Sequence, residues 1–178
     1  MEVYPDQHLP QLATKRLLLR PLQISDANQV FILRSDPIVN QYTGRKLART
    51  VDDSIEFIKK ILSGYEARDT FYWAIVPKER QELAGTVCLF NINIVDKKAE
   101  LGYELLPEWQ GRGFMQETLE AIIRFGFRQM QLQAIEAELE ERNLPSIRVL
   151  ERCNFSLLGR SVDETSTLTY RLSAPGKK

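Results

Sequence analysis

The segment Glu108-Trp-Gln-Gly-Arg-Gly-Phe-Met-Gln-Glu117 puts Gly111 and Gly113 one residue apart, just ahead of a long helical pattern. Glycine has no Cβ, so successive peptide N–H groups at such a turn can converge on one point and form an anion-binding concavity. A helix that starts there adds unpaired first-turn donors and the positive end of its dipole. With the guanidinium of Arg112 beside them, these groups suit a phosphate. The same two glycines are equally compatible with a tight strand-to-helix turn that holds nothing. The familiar phosphate loops, G-x-x-x-x-G-K-[ST] and G-x-G-x-x-G, do not complete here, because Met115 and Gln116 follow.

The other reactive side chains narrow the chemistry. His8 is the only histidine, so proton transfer near neutral pH falls to carboxylates, hydroxyls, tyrosines or water, and the usual His/Cys zinc spacings are missing. Cys88 and Cys153 lie far apart among apolar neighbours and read as buried thiols rather than a disulfide or a nucleophile. Glu100 and Glu104 fall two alternations apart in a strand-like run, so both carboxylates share one face. Lys and Arg (24) balance Asp and Glu (24), which argues against a nucleic-acid-binding surface but leaves room for a local basic rim. No long apolar span or secretory leader is present, so the expected location is the cytoplasm, away from the membrane.

These groups need a scaffold, and 178 residues with 43% hydrophobic content suffice for one domain. A domain over residues 14–173 is expected, with an N-terminal extension (1–13) and a short C-terminal tail (174–178). Thr14–Pro21 reads as a first strand. Ser25 is placed to cap a helix carrying Ala27, Val30 and Phe31 and ending before Pro37, and Thr50 with Asp53 opens a second, with Ile55, Ile58 and Leu62 on one side. Phe71–Pro77, Leu83–Ile94 and Ala99–Leu106 are β-rich runs joined by polar turns. Gly111–Met130 has helical periodicity, with Gly126 permitting close packing. Ala134–Glu141 alternates as a strand, and Leu144–Cys153 is a short helix capped by Asn143 with Pro145 early. Ser156–Val162 and Ser166–Ser173 close the chain as strands. The order β-α-α-β-β-β-α-β-α-β-β predicts an α+β fold: a mixed, mostly antiparallel sheet of about seven strands flanked by four helices.

Four segments, which make up three linked motifs in the right order along the chain, resemble one family. Gln110-Gly-Arg-Gly-Phe-Met115 resembles the Q/R-x-x-G-x-G/A loop of the GNAT (GCN5-related) N-acetyltransferases, which holds the pyrophosphate of acetyl-CoA. Thr14-x-Arg-Leu-x-Leu-Arg-Pro21 and Glu100-Leu-Gly-Tyr-Glu-Leu-Leu-Pro107 resemble the opening and central strands of the branch that acetylates ribosomal-protein N-termini. Asn143-x-x-Ser146-x-x-x-Leu150-x-Arg-x-Asn-Phe155 resembles its N-x-x-S-x-x-x-[LV]-x-[KR]-x-G-F helix. Two positions depart: Met115 replaces a usual Gly or Ala, so its side chain must point away from the phosphates. Asn154 replaces a glycine where a left-handed residue ends the helix, a position asparagine also tolerates.

The resemblance implies a transfer of acetyl from acetyl-CoA to a primary amine, on a protein N-terminus or a small molecule, with no metal. It implies that Tyr103, Glu104 and Leu105 offer backbone to the pantetheine arm, with the Leu105 N–H polarising the thioester carbonyl. Gln110, Gly111, Arg112, Gly113, Phe114 and Met115 form the pyrophosphate loop, and Asn143 adds an amide contact besides its capping role. Ser146 is implied as the proton donor to the leaving thiolate, since Leu150 stands where many relatives place a tyrosine. Glu100 is the expected base, with Glu104 and Glu164 as further acids. Direct attack is expected rather than an acyl-cysteine route, in a monomer or homodimer. A non-catalytic acyl-CoA-sensing module and a plain nucleotide-phosphate binder are the competing readings.

Overall fold

Eight strands form one sheet in the order β1-β2-β3-β4-β5-β6-β8-β7 in the computed structural model, which describes residues 9–66, 69–161 and 166–176. The strands are β1 (Leu12–Ala13), β2 (Leu17–Pro21), β3 (Thr70–Pro77), β4 (Gly85–Asn93), β5 (Lys98–Leu105), β6 (Ala134–Glu140), β7 (Ser156–Arg160) and β8 (Thr167–Ser173). The helices are α1 (Ala27–Ser35), α2 (Pro37–Asn40), α3 (Val51–Glu66), α4 (Phe114–Arg128) and α5 (Leu144–Arg152). All neighbouring strands run antiparallel except β5 and β6. The expected mixed α+β architecture is present, with two small additions: the two-residue β1 on the edge and the four-residue α2.

Residues that face each other across an antiparallel ladder share a side of the sheet, so the register sorts the side chains. Phe71, Leu89 and Leu101 lie on one face with Trp73, Val87 and Tyr103. There Trp73 and Phe71 meet Phe125 of α4, with ring centroids 5.3 and 6.4 Å apart, and all three rings are buried. Gly126 brings α4 down onto the sheet: an added Cβ would sit 3.1 Å from Ile135 and 3.2 Å from Leu132. Tyr72, Cys88 and Gly102 lie on the opposite face with Thr86, Glu104, Phe90 and Glu100. On that side Phe57 of α3 meets Tyr72 edge-on at 5.6 Å.

Local signals place several ends. Thr50 and Asp53 exchange side-chain to backbone bonds of 3.2 and 3.0 Å, closing a capping box before α3. Asn154 is left-handed (φ 66) and ends α5 as expected. Ser25, by contrast, does not begin α1. Residues Ile24–Asp26 form a 3-10 turn, and Asp26 ties it down by accepting the Gln23 N–H at 2.8 Å while pairing with Arg20 at 2.7 Å. On α1 the fully buried residues are Val30 and Leu33, whereas Phe31 is half-buried.

Candidate active site

The sheet divides in its middle. β5 and β6 pair only at Lys98–Ala134, Ala99–Ile135 and Glu100–Glu136. Beyond Glu100, β5 stays on β4 and β6 stays on β8, so residues 101–105 and 137–140 diverge as the two arms of a fork. Gly85 keeps the first arm hard against β4, since a Cβ there would lie 2.2 Å from the Glu104 carbonyl oxygen. Leu106 donates its N–H to Ala84 at 2.8 Å on the β4 side. Strand alternation therefore directs the peptide groups of Tyr103 and Leu105 into the fork.

The glycine turn stands at the open end of this fork. A 3-10 turn at Pro107–Trp109 leads out of β5, and Gly111 (φ 71) and Gly113 (φ 77) take left-handed conformations that glycine adopts without strain. The first backbone bond of α4 runs from Glu117 to Gly113 at 3.1 Å. The N–H groups of residues 113–116 donate to no acceptor among the described residues, and Gly113 offers no side chain to cap them. Met115 packs against the core, and Phe114 is buried against Trp109, with ring centroids 5.5 Å apart. Gln110 braces the turn by donating its side-chain amide to Leu105 O at 2.8 Å.

Arginines surround the turn. Arg112 lies near Trp109 and Phe114 (4.9 and 4.8 Å to the ring centroids) and pairs with Glu79 at 3.1 Å. Arg16, arriving from the start of β2, sits 4.3 Å over Phe114, bonds to Arg112 O at 2.9 Å and pairs with Glu117 at 2.6 Å. Burial alone would raise the pKa of Glu117, but hydrogen bonds from Thr14 and from the Arg16 backbone and side chain outweigh it and hold the carboxyl below its usual range. The role of Arg16 here was not legible in the sequence, because it comes from almost a hundred residues away in the chain.

Ser146 lies in the first turn of α5, on the β6 side of the fork. Asn143 caps that helix by accepting the Ser146 N–H at 3.3 Å. The Ser146 hydroxyl meets the Tyr103 phenol at 2.5 Å, which joins the two arms through side chains. Burial pushes the Tyr103 phenol well above its ordinary range, so it remains a neutral donor. Leu150 is fully buried and faces none of this chemistry.

On the opposite face, Glu100 is half-buried at the point where the arms separate and accepts a bond from Asn91 at 3.0 Å. Glu104 pairs with Arg45 at 2.6 Å and accepts from Thr86 at 3.3 Å. Glu164 lies outside the described residues. Both thiols are suppressed: burial, then the charge of Glu104, pushes Cys88 up to about 12, and burial pushes Cys153 up to about 11. Neither is a ready thiolate nucleophile at neutral pH.

Comparison with known proteins gives the family and the fold. The family model described as an acetyltransferase (GNAT) domain matches residues 16–156. The uncharacterised N-acetyltransferase p20 of Bacillus licheniformis is 35% identical over 153 residues, 83% of each chain. RimL, a ribosomal L7/L12 alpha-N-protein acetyltransferase, has the same fold, with a TM-score of 0.83 at 18% identity over 93% of this chain and 94% of its own. So does the spermidine N-acetyltransferase of Vibrio cholerae, solved with CoA and spermine (TM-score 0.80, 20% identity, 90% and 96% covered). An open strand fork, a glycine turn with unpaired donors and a match over most of its length make this chain an acetyltransferase of the GNAT family.

Proposed function

We propose that this protein transfers the acetyl group of acetyl-CoA directly to a primary amine, on a protein N-terminus or a small molecule, in the cytoplasm. The observation that carries the reading is the coincidence of unpaired N–H groups at residues 113–116 with the mouth of the β5–β6 fork. The turn from Gln110 to Met115 would hold the pyrophosphate, with Arg16 and Arg112 supplying positive charge beside it. The inward-facing peptide groups of Tyr103 and Leu105 would pair with the pantetheine as with an added strand, and the Leu105 N–H would polarise the thioester carbonyl. Asn143 would donate a hydrogen bond from its side-chain amide NH2 to the same arm.

The amine would approach from the face that carries Glu100, opposite the glycine turn. We assign the base to Glu100 rather than Glu104, because Glu104 is already paired with Arg45. As the amine nitrogen bonds to the carbonyl carbon, the carbon–sulfur bond breaks and the amine proton is relayed through water to Glu100, which lies about 16 Å down the strand from Leu105 at ~3.3 Å per residue. Ser146 would donate a hydrogen bond to the departing sulfur, with the Tyr103 phenol holding the serine oxygen in place. The suppressed thiols favour this direct route over an acyl-cysteine.

Incubation with acetyl-CoA and a panel of amines, followed by measurement of free thiol, tests the reading. Amine-dependent release is expected. Saturable CoA binding without turnover on any amine would point to a sensing module instead, and equal competition by ATP would reduce the site to a general nucleotide-phosphate binder.

A further inference from the structure

The face that carries Glu100 and Glu104 holds a positive charge with no counterion among the described residues. Arg34, on α1, is half-buried and stacks on Phe57 with its guanidinium carbon 3.8 Å from the ring centroid. Phe57 abuts Tyr72, whose hydroxyl bonds to Thr86 at 3.0 Å, and Thr86 bonds to Glu104 at 3.3 Å. Aromatic and polar groups thus connect Arg34 to the fork arm that bears Glu104. Among the described residues, the Arg34 guanidinium has no hydrogen bond and no carboxylate partner; only its backbone carbonyl is engaged, by the Ala48 N–H at 3.1 Å. Among the described residues, the acid that bears on it, Glu104, is paired with Arg45, a second guanidinium close enough to repel it. Desolvation and that repulsion depress the pKa of Arg34, yet an arginine starts so high that it stays charged.

A half-buried cation that has an aromatic face but no anion to pair with is costly to fold around. From Arg34, Arg45 and their setting we infer that the acceptor is an amine that also carries an anionic group, a carboxylate or a phosphate, which pairs with Arg34 while the amine lies toward Glu100. This rests on the catalytic reading above and names its substrate class. The pocket would be polarised to match: a carboxylate at the apex of the fork for the ammonium, a guanidinium beyond Glu104 for the acid. A polyamine such as the spermine bound by the V. cholerae relative would meet like charge at Arg34.

The test is a matched acceptor series assayed with acetyl-CoA: ω-amino carboxylates of increasing length, their carboxamides, aminoalkyl phosphates, and spermidine. The wild type is expected to favour acid-bearing amines over the matching amides by at least tenfold in kcat/KM, mainly through KM. The better of the carboxylate and phosphate arms identifies the anion. Arg34→Met, which keeps the aliphatic stem over Phe57, should bring the acid-to-amide ratio close to one, and Arg34→Lys should restore part of it. CoA binding by each variant reports that the fold is intact. A wild-type ratio near one, a preference for spermidine, or an Arg34→Met ratio equal to wild type overturns the inference while leaving the transferase intact. CoA binding with no amine turned over removes the catalytic reading, and this one with it.

Discussion

Ser146→Ala is the substitution on which the proton chemistry depends, and the structure bounds its effect. A coenzyme A thiol with a pKa near that of cysteine, about 8.5, leaves readily as a thiolate, so full proton transfer is unnecessary. A serine hydroxyl then contributes a hydrogen bond to developing negative charge, worth about 1.5–3 kcal/mol. With each 1.36 kcal/mol a factor of ten, kcat should fall roughly 10- to 100-fold with KM little changed. Tyr103 touches the same oxygen at 2.5 Å and acts through it. Tyr103→Phe should therefore lower kcat by a smaller factor, about 3- to 10-fold, corresponding to about 1 kcal/mol of lost orientation. The double variant should be no slower than Ser146→Ala alone, because the phenol has nothing left to position. Both hydroxyls stay neutral through the working range, so the deficit of Ser146→Ala should be the same at pH 7 and pH 9. Steady-state thiol release under saturating acetyl-CoA measures all of these. An unchanged kcat in Ser146→Ala, or losses that multiply in the double variant, would refute the reasoning.

Three further outcomes follow from the geometry. Gly113→Ala should cost about 1–2 kcal/mol of stability, because a φ of 77 strains a residue with a Cβ, and should raise the Kd for CoA; calorimetry that finds the affinity unchanged removes the turn from the cofactor site. Asn154→Gly should stabilise the protein by about 0.5–1 kcal/mol and Asn154→Ala should destabilise it, since φ at this helix end is 66; urea midpoints read both. Glu117→Gln should lower stability at pH 7 by about 1 kcal/mol, a modest figure because Arg16 is half-exposed. Because the folded-state pKa of Glu117 is depressed, that contribution is present above the normal carboxylate range and vanishes as pH falls through the depressed value; denaturation curves for the two proteins should converge in acid.

What the sequence disclosed was short-range. The glycine turn, the Thr50–Asp53 capping box, the Asn143 cap and the left-handed end at Asn154 each depend on residues within a few positions, and each is where it was expected. β1 and α2, with two and four residues, are too short to express a period. The start of α1 was misjudged because Asp26, rather than Ser25, precedes it, held by Arg20 six positions back across the turn. Around the site, Arg16 on Glu117, Tyr103 on Ser146 and Arg45 on Glu104 span 101, 43 and 59 positions in the chain, separations at which no local pattern survives. The fork itself is written in the end of a pairing register, and alternating hydrophobicity in β5 and β6 is the same whether or not the two strands touch.

A sheet interrupted in this way has an unusual pattern of protection from solvent. Amides of β5 that donate to β4 are shielded, while their alternate neighbours at Tyr103 and Leu105 stand open to exchange with deuterium. Any molecule threaded along that edge closes those positions selectively, so the order in which individual amides exchange reports occupancy directly, one peptide group at a time, without a substrate being turned over.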